Sequence, residues 1–149
     1  MKIFLELACN TILIHAALGW CIAQILKVII GYIKEGRVTF TLLLSSGGIP
    51  SSHSATVSAL AVSTGYHYGF DSAIFAISFV LAFIVMYDAA GVRRAAGEQA
   101  KILNRMMREL DEGKTDNVQK ELKELIGHTP FQVIVGAILG IFIPFVIRL

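Results

Sequence analysis

Charge is scarce in this chain. Only 16% of its 149 residues are Asp, Glu, Lys or Arg, against about 25% in an average soluble domain. Most of that charge sits in two stretches, and the long runs between them are nearly bare. With 55% apolar residues and a mean hydropathy of +0.68, the composition excludes an ordinary soluble fold and identifies an integral membrane protein. A net charge of only +2 gives no case for nucleic-acid binding. No cluster of acidic side chains is placed to hold a metal, so the sequence calls for neither metal nor cofactor. The two cysteines, Cys9 and Cys21, lie in one apolar run without metal-ligand spacing, and a buried thiol pair with no disulfide is expected. The chain lacks internal repeats and low-complexity tracts, so 1–149 reads as a single membrane-embedded domain.

Four apolar spans are expected, at about 5–33, 52–67, 71–91 and 130–148. They make an all-α polytopic membrane bundle. A helix over 3–33 would reach about 45 Å, longer than the roughly 30 Å hydrocarbon core, so it must tilt or start at the interface. The second span is short and rich in Ala, Ser and Thr, which suits a helix shielded by its neighbours. Residues 98–126 are the polar part. Apolar positions recur there at helical spacing until Gly113, and Asp116 with Gln119 resembles a capping box, so an amphipathic helical hairpin is expected between the third and fourth spans. Gly136 and Gly140 give a small-xxx-small spacing for helix contact.

The central stretch is Gly47-Gly48-Ile49-Pro50-Ser51-Ser52-His53-Ser54. Glycines free the backbone, the proline restricts it near a helix start, and the serines are candidate N-caps. The first turn of a helix exposes N–H groups and a positive dipole end, which suits an anion such as phosphate, and His53 is placed to exchange a proton with it. A capped helix with a surface histidine explains the same eight residues equally well. Lys27 lies within the first span and either snorkels to the headgroups or faces a polar cavity. His15 reads as a helix-packing residue and His67 as an interfacial loop residue. At the end of the third span, Asp88 with Arg93 and Arg94 are costly unless paired with each other or with a ligand. Gly113-Lys114-Thr115 is not a phosphate loop, because Arg108 stands where a glycine is required.

Four crossings place the 34–48 loop and the 93–129 segment on one side. That side carries most of the lysines and arginines, which predicts that it faces the cytoplasm. His53 then starts the second span and His128 starts the fourth at the same membrane level, with Lys27, Lys34, Arg93 and Arg94 nearby. Two imidazoles, several cations and a helix N-terminus suit phosphoryl transfer, one ring attacking phosphorus and the other protonating the leaving oxygen.

Three segments, Gly-Gly-Ile-Pro-Ser-Ser-His-Ser-Ala, Tyr-Asp-Ala-Ala-Gly-Val-Arg-Arg-Ala-Ala-Gly-Glu-Gln-Ala and Gly-His-Thr-Pro-Phe-Gln-Val, resemble the type 2 phosphatidic acid phosphatase (PAP2) superfamily. They are most similar to its divergent bacterial and plant branch, related to acid phosphatases and vanadium haloperoxidases. The resemblance covers roughly residues 20–142. It implies a bacterial cell-membrane enzyme that hydrolyses a lipid phosphate or diphosphate through a phosphohistidine, without a metal. By resemblance His128 is the nucleophile, His53 the general acid, and Ser51 and Ser52 hold phosphate oxygens with Lys27 and Lys34. The motifs also depart from the superfamily. Ser52 replaces a glycine, and Lys34-Glu35 replaces Arg-Pro. Leu122 and Gln132 stand where an arginine and an aspartate accompany the nucleophile. Asp88 is the candidate for the missing carboxylate, and Arg93 or Arg94 for the missing guanidinium. The expected partners are a phosphorylated lipid and the surrounding membrane lipids, and self-association is left open. The alternative is a lipid-phosphate binder or translocator without chemistry; a structural membrane subunit is the third reading.

Overall fold

A computed structural model describes residues 1–36, 48–111 and 127–147. Among them the chain is all helical: α1 (Lys2–Ala8), α2 (Thr11–Glu35), α3 (Ser52–Tyr68), α4 (Ala73–Ala90), α5 (Val92–Asp111) and α6 (Pro130–Val146).

The expected first span is divided. Asn10 is the reason: its side-chain oxygen accepts the N–H of Leu13 at 3.1 Å and caps α2, ending α1 two residues earlier. Gly36, at φ 70°, closes α2 in the left-handed conformation that glycine adopts without strain. Ser51, Ser72 and Thr129 cap the later helices in the same way as Asn10 caps α2.

The order of polarity is inverted relative to a soluble bundle. α3 is more polar than α2, α4 and α6, yet it is the central one and packs against all three. Its buried residues are small: Ser, Ala, Thr, Gly and Val. α4 is apolar on every side, and Ile77, Phe79, Phe83 and Ile84 are exposed. In water that arrangement would be costly. In hydrocarbon, large side chains facing outward cost nothing, and close approach of small ones holds the helices together. By length and composition, two apolar segments among the described residues can cross a bilayer, Thr11–Ile33 and Ala73–Met107, and Pro130–Val146 is a shorter apolar helix. At 17 residues, α3 and α6 each extend about 26 Å, and α3 is sheltered by its neighbours.

The closest approaches run through glycine. A methyl group on Gly19 of α2 would lie 2.8 Å from the Ala55 carbonyl oxygen, and methyls on Gly136 and Gly140 of α6 would collide with the carbonyls of Ser51 and Ala55. The Gly136/Gly140 spacing is thus the seam along which α6 lies on α3. Between them, α2 and α6 hold the Ala55 turn from two sides.

Other expectations also differ from the structure: His67, read as a loop residue, lies in the last turn of α3. Cys9 and Cys21 are exposed rather than buried, on the outward surface of the α1–α2 region. The amphipathic helix begins at Val92 rather than at residue 98, because only Gly91 separates it from α4. Its polar stripe (Arg94, Glu98, Lys101, Arg105) and its apolar stripe (Val92, Leu103, Met106) are both exposed, while Gly97 and Asn104 are buried. The second arm of the expected hairpin, with Asp116, Gln119 and Leu122, lies outside the described residues.

Candidate functional site

The N-termini of α3 and α6 arrive at the same place, and backbone hydrogen bonds hold them there. The N–H of Ser51 donates to the Gln132 carbonyl at 3.1 Å, and the N–H of His128 donates to the Ala89 carbonyl at 3.1 Å. The first bond ties the start of α3 to the first turn of α6. The second ties the residue before the N-cap of α6 to the last turn of α4. Three helix ends tens of residues apart in sequence are thus registered against one another by main chain, which side-chain mobility does not loosen.

This registration brings His53 and His128 together. Their ring centroids are 6.1 Å apart and the rings meet edge to face at 64°. His53, in the first turn of α3, is exposed, whereas His128 is 2% exposed. Each sits at the positive end of a helix, where about half a unit of charge is concentrated.

The tautomer of His128 follows from its neighbours. The Thr129 hydroxyl accepts the Gln132 N–H at 3.3 Å, and Gln132 Oε1 accepts the Thr129 N–H at 3.0 Å, a complete capping box. A backbone N–H can only donate, so the amide atom facing it is the oxygen. That same Oε1 lies 3.2 Å from His128 Nδ1. An oxygen acceptor there requires the proton on Nδ1, which leaves the lone pair of the neutral ring on Nε2. Gln132 therefore does two jobs with one atom, capping the start of a helix and setting a tautomer. Sequence reasoning placed a capping box only at Asp116 and Gln119 and missed the Thr129-Pro130-Phe131-Gln132 one, whose signal was the threonine three residues before a glutamine. Its link to the histidine left no signal in the sequence.

Lys27 resolves in favour of the interior. It is 2% exposed, and its methylenes lie along Gly48: a Cβ at Gly48 would sit 2.9 Å from Lys27 Cγ and 3.1 Å from Cδ. Gly48 also has φ +100°, so the loop that leads to Pro50 needs glycine both for its conformation and for the lysine stem crossing it.

Ser51 and Ser52 are both buried. The Ser51 hydroxyl oxygen accepts the Ser54 N–H at 3.4 Å and the Ser54 hydroxyl at 3.0 Å, so in this state it is a helix cap. Asp88 is partly buried, one residue before the Ala89 carbonyl that holds His128. Arg94 is exposed in the first turn of α5. Lys34 and Arg93 fall on α2 and α5, with side chains outside the described set. The described contacts thus bring together His53, His128, Ser51 and Ser52, with Asp88 at the border, while Lys27 meets the loop at Gly48, three residues before Ser51. Asn104 was missed by sequence reasoning. It is 1% exposed, and its only signal was a polar residue seven positions from Gly97 on an otherwise amphipathic helix.

Chemically, this arrangement can hold an anion and move a proton. Two helix N-termini flank a pair of imidazoles, one with a defined lone-pair nitrogen. The sequence as a whole also matches known proteins. The family model described as the Divergent PAP2 family matches residues 8–143. An uncharacterized membrane protein of Bacillus subtilis (strain 168), YuiD, is 40% identical over 153 residues, covering 96% of this chain and 97% of its own length. No solved structure matches.

Proposed function

The chain belongs to the divergent PAP2 family, and from that premise we propose that it is a membrane phosphatase acting on a lipid phosphate or diphosphate through a phosphohistidine. The observation that carries the reading is the pairing of His53 with His128 at the meeting point of two helix N-termini.

In this reading the phosphoryl group lies between the rings. His128 Nε2 attacks phosphorus; a P–N bond forms as the P–O bond to the lipid breaks, and His53 gives its proton to the departing oxygen. Neutral His53 then takes a proton from water, whose oxygen displaces His128 and releases phosphate. The N–H groups at the start of α3 stabilise the equatorial oxygens, with the cations of Lys27, Lys34, Arg93 and Arg94 as the supporting charge. Asp88 supplies the carboxylate that steadies the cationic intermediate. Nothing in the reaction needs a metal or cofactor. The polar face lies toward the cytoplasm by its lysine and arginine content.

One observation favours a second reading. Gln132 orients His128 but brings no charge to offset the imidazolium, and His128 is 2% exposed. A binder or translocator of lipid phosphate would keep the anion pocket without turnover. Purified protein in vesicles containing phosphatidic acid separates the two. Phosphate release that disappears in His128→Ala supports the phosphatase. Saturable binding with no release above the His128→Ala background selects the binder.

A further inference from the structure

Among the described residues, the helices packed against α3 do not enclose it. α6 lies against the Ser51–Ala55 side through Gly136 and Gly140. α2 lies on the Ser63 side, where His15 bonds to Ser63 Oγ. α4 lies on the Val57–Ala61 side, packed through Ala82. Among the described residues, α2 and α4 make no Cα approach within 8 Å of each other, although both adjoin α3. The face of α3 between them carries His53, Thr56, Leu60 and His67, spaced three, four and seven residues apart along one stripe. Its ends are exposed and its middle only partly buried.

This slot offers hydrocarbon surface. Thr56 Oγ1 donates to the Ser52 carbonyl at 2.7 Å, and Thr64 Oγ1, on the flank, donates to the Leu60 carbonyl at 2.8 Å. With those hydroxyls engaged by the helix backbone, what remains for an occupant at Thr56 is a methyl, beside the Leu60 side chain. The stripe also begins at the site, since His53 is its first residue. From His53 to Leu60 is about 10 Å and to His67 about 21 Å, and one leaflet of hydrocarbon is about 15 Å deep. A single tail running inward from a headgroup at His53 therefore passes Thr56 and Leu60 before it reaches the bilayer centre.

We propose that the face of α3 between α2 and α4 seats one hydrocarbon tail of a membrane lipid whose phosphate occupies the two-histidine site, with Thr56 and Leu60 as its contact residues. The substrate then loads sideways from the bilayer rather than from water, and its tail becomes a determinant of selection. This rests on the anion-site reading above, but not on turnover.

The test uses the full chain in phosphatidylcholine vesicles containing phosphatidic acid with a photoreactive diazirine in mid-tail. Labelling is expected on the peptide spanning Thr56–Leu60. Excess unlabelled phosphatidic acid should suppress it at least about tenfold, and excess phosphatidylcholine should not. Leu60→Trp, which fills the slot, should reduce this labelling and lower the ratio of long-chain to short-chain phosphomonoester turnover by about tenfold, the equivalent of roughly two buried methylenes. Leu60→Ala adds no volume and should keep the labelling, while shifting the turnover ratio toward bulky branched tails. Labelling spread over the outward Phe79 and Phe83, insensitive to phosphatidic acid, would sink the proposal. So would chain-to-chain crosslinks through the slot, which assign it to a second copy. Competable labelling at Thr56–Leu60 without phosphate release from any ester retains the tail site and removes the phosphatase reading instead.

Discussion

The two ends of the helix bundle each carry a pair of histidines, and they use them in opposite ways. At the end away from the site, His15 is 4% exposed and both its nitrogens serve protein partners. Nε2 lies 2.7 Å from the Ile147 carbonyl and must donate to it, so Nδ1 accepts the Ser63 hydroxyl at 2.8 Å. His67 donates from Nδ1 to the carbonyl of the same Ser63 at 3.0 Å. This cluster joins α2, α3 and the end of α6, and its polar groups complete one another. At the site end, His128 gives Nδ1 to Gln132, and its ring meets an exposed imidazole at two helix N-termini. The Ser63–His15 contact has the geometry of an activated serine, but Ser63 is fully buried, so the resemblance to a nucleophile–base pair carries no chemistry. Whether a histidine works as a strut or a reagent depends on what its neighbours leave for a ligand.

The comparison breaks most sharply at His128. His128→Ala should lower phosphate release by about 10³-fold or more while leaving the melting temperature in detergent near wild type. Full activity in that variant would erase the distinction between the ends. Asp88→Asn comes next, with turnover down by about 10²-fold or more and an unchanged fold; retained activity removes Asp88 from the mechanism. The end away from the site should behave in reverse. His15→Ala leaves the Ser63 hydroxyl and the Ile147 carbonyl unmatched in the interior, costing about 2–4 kcal/mol, and should appear as a lower melting temperature with turnover per folded molecule preserved.

Gln132 tests the tautomer argument more finely. Gln132→Leu removes the acceptor and should slow turnover by about tenfold. Gln132→Glu keeps an acceptor for both donors and adds the missing charge, so activity should survive; the carboxylate favours the cationic form of His128, so the acidic limb of the pH profile should move to higher pH. If the two variants behave alike, the hydrogen bond to His128 has no catalytic meaning. The smallest effect belongs to His67→Ala, which gives up one interfacial bond to an already helical carbonyl. Its stability should change by less than about 1 kcal/mol, read by thermal unfolding.

Much of the site was legible. Pro50-Ser51-Ser52-His53 and Gly127-His128-Thr129-Pro130 both read as helix entrances, and counting crossings put them on one membrane face. Gly136 and Gly140 were legible as a contact seam because the spacing itself describes one helix face. Other features depend on the approach of distant segments. Nothing in the sequence around Lys27 pairs it with Gly48. The partners of His15 lie 48 and 132 residues away, and the cysteine expectation failed because apolar surroundings mean interior in water but exterior in lipid.

Local rules acting on neighbouring residues determined that this chain is helical, where its helices start and that it lives in a bilayer. Capping, periodicity and transfer from water are all short-range effects. Only the packed bundle decided which polar groups meet, because at that range the outcome depends on backbone-to-backbone distance. Glycines without a Cβ allow α2 and α6 to close on α3, and that closeness brings one imidazole against another at one end while uniting a histidine, a serine and a carbonyl at the other.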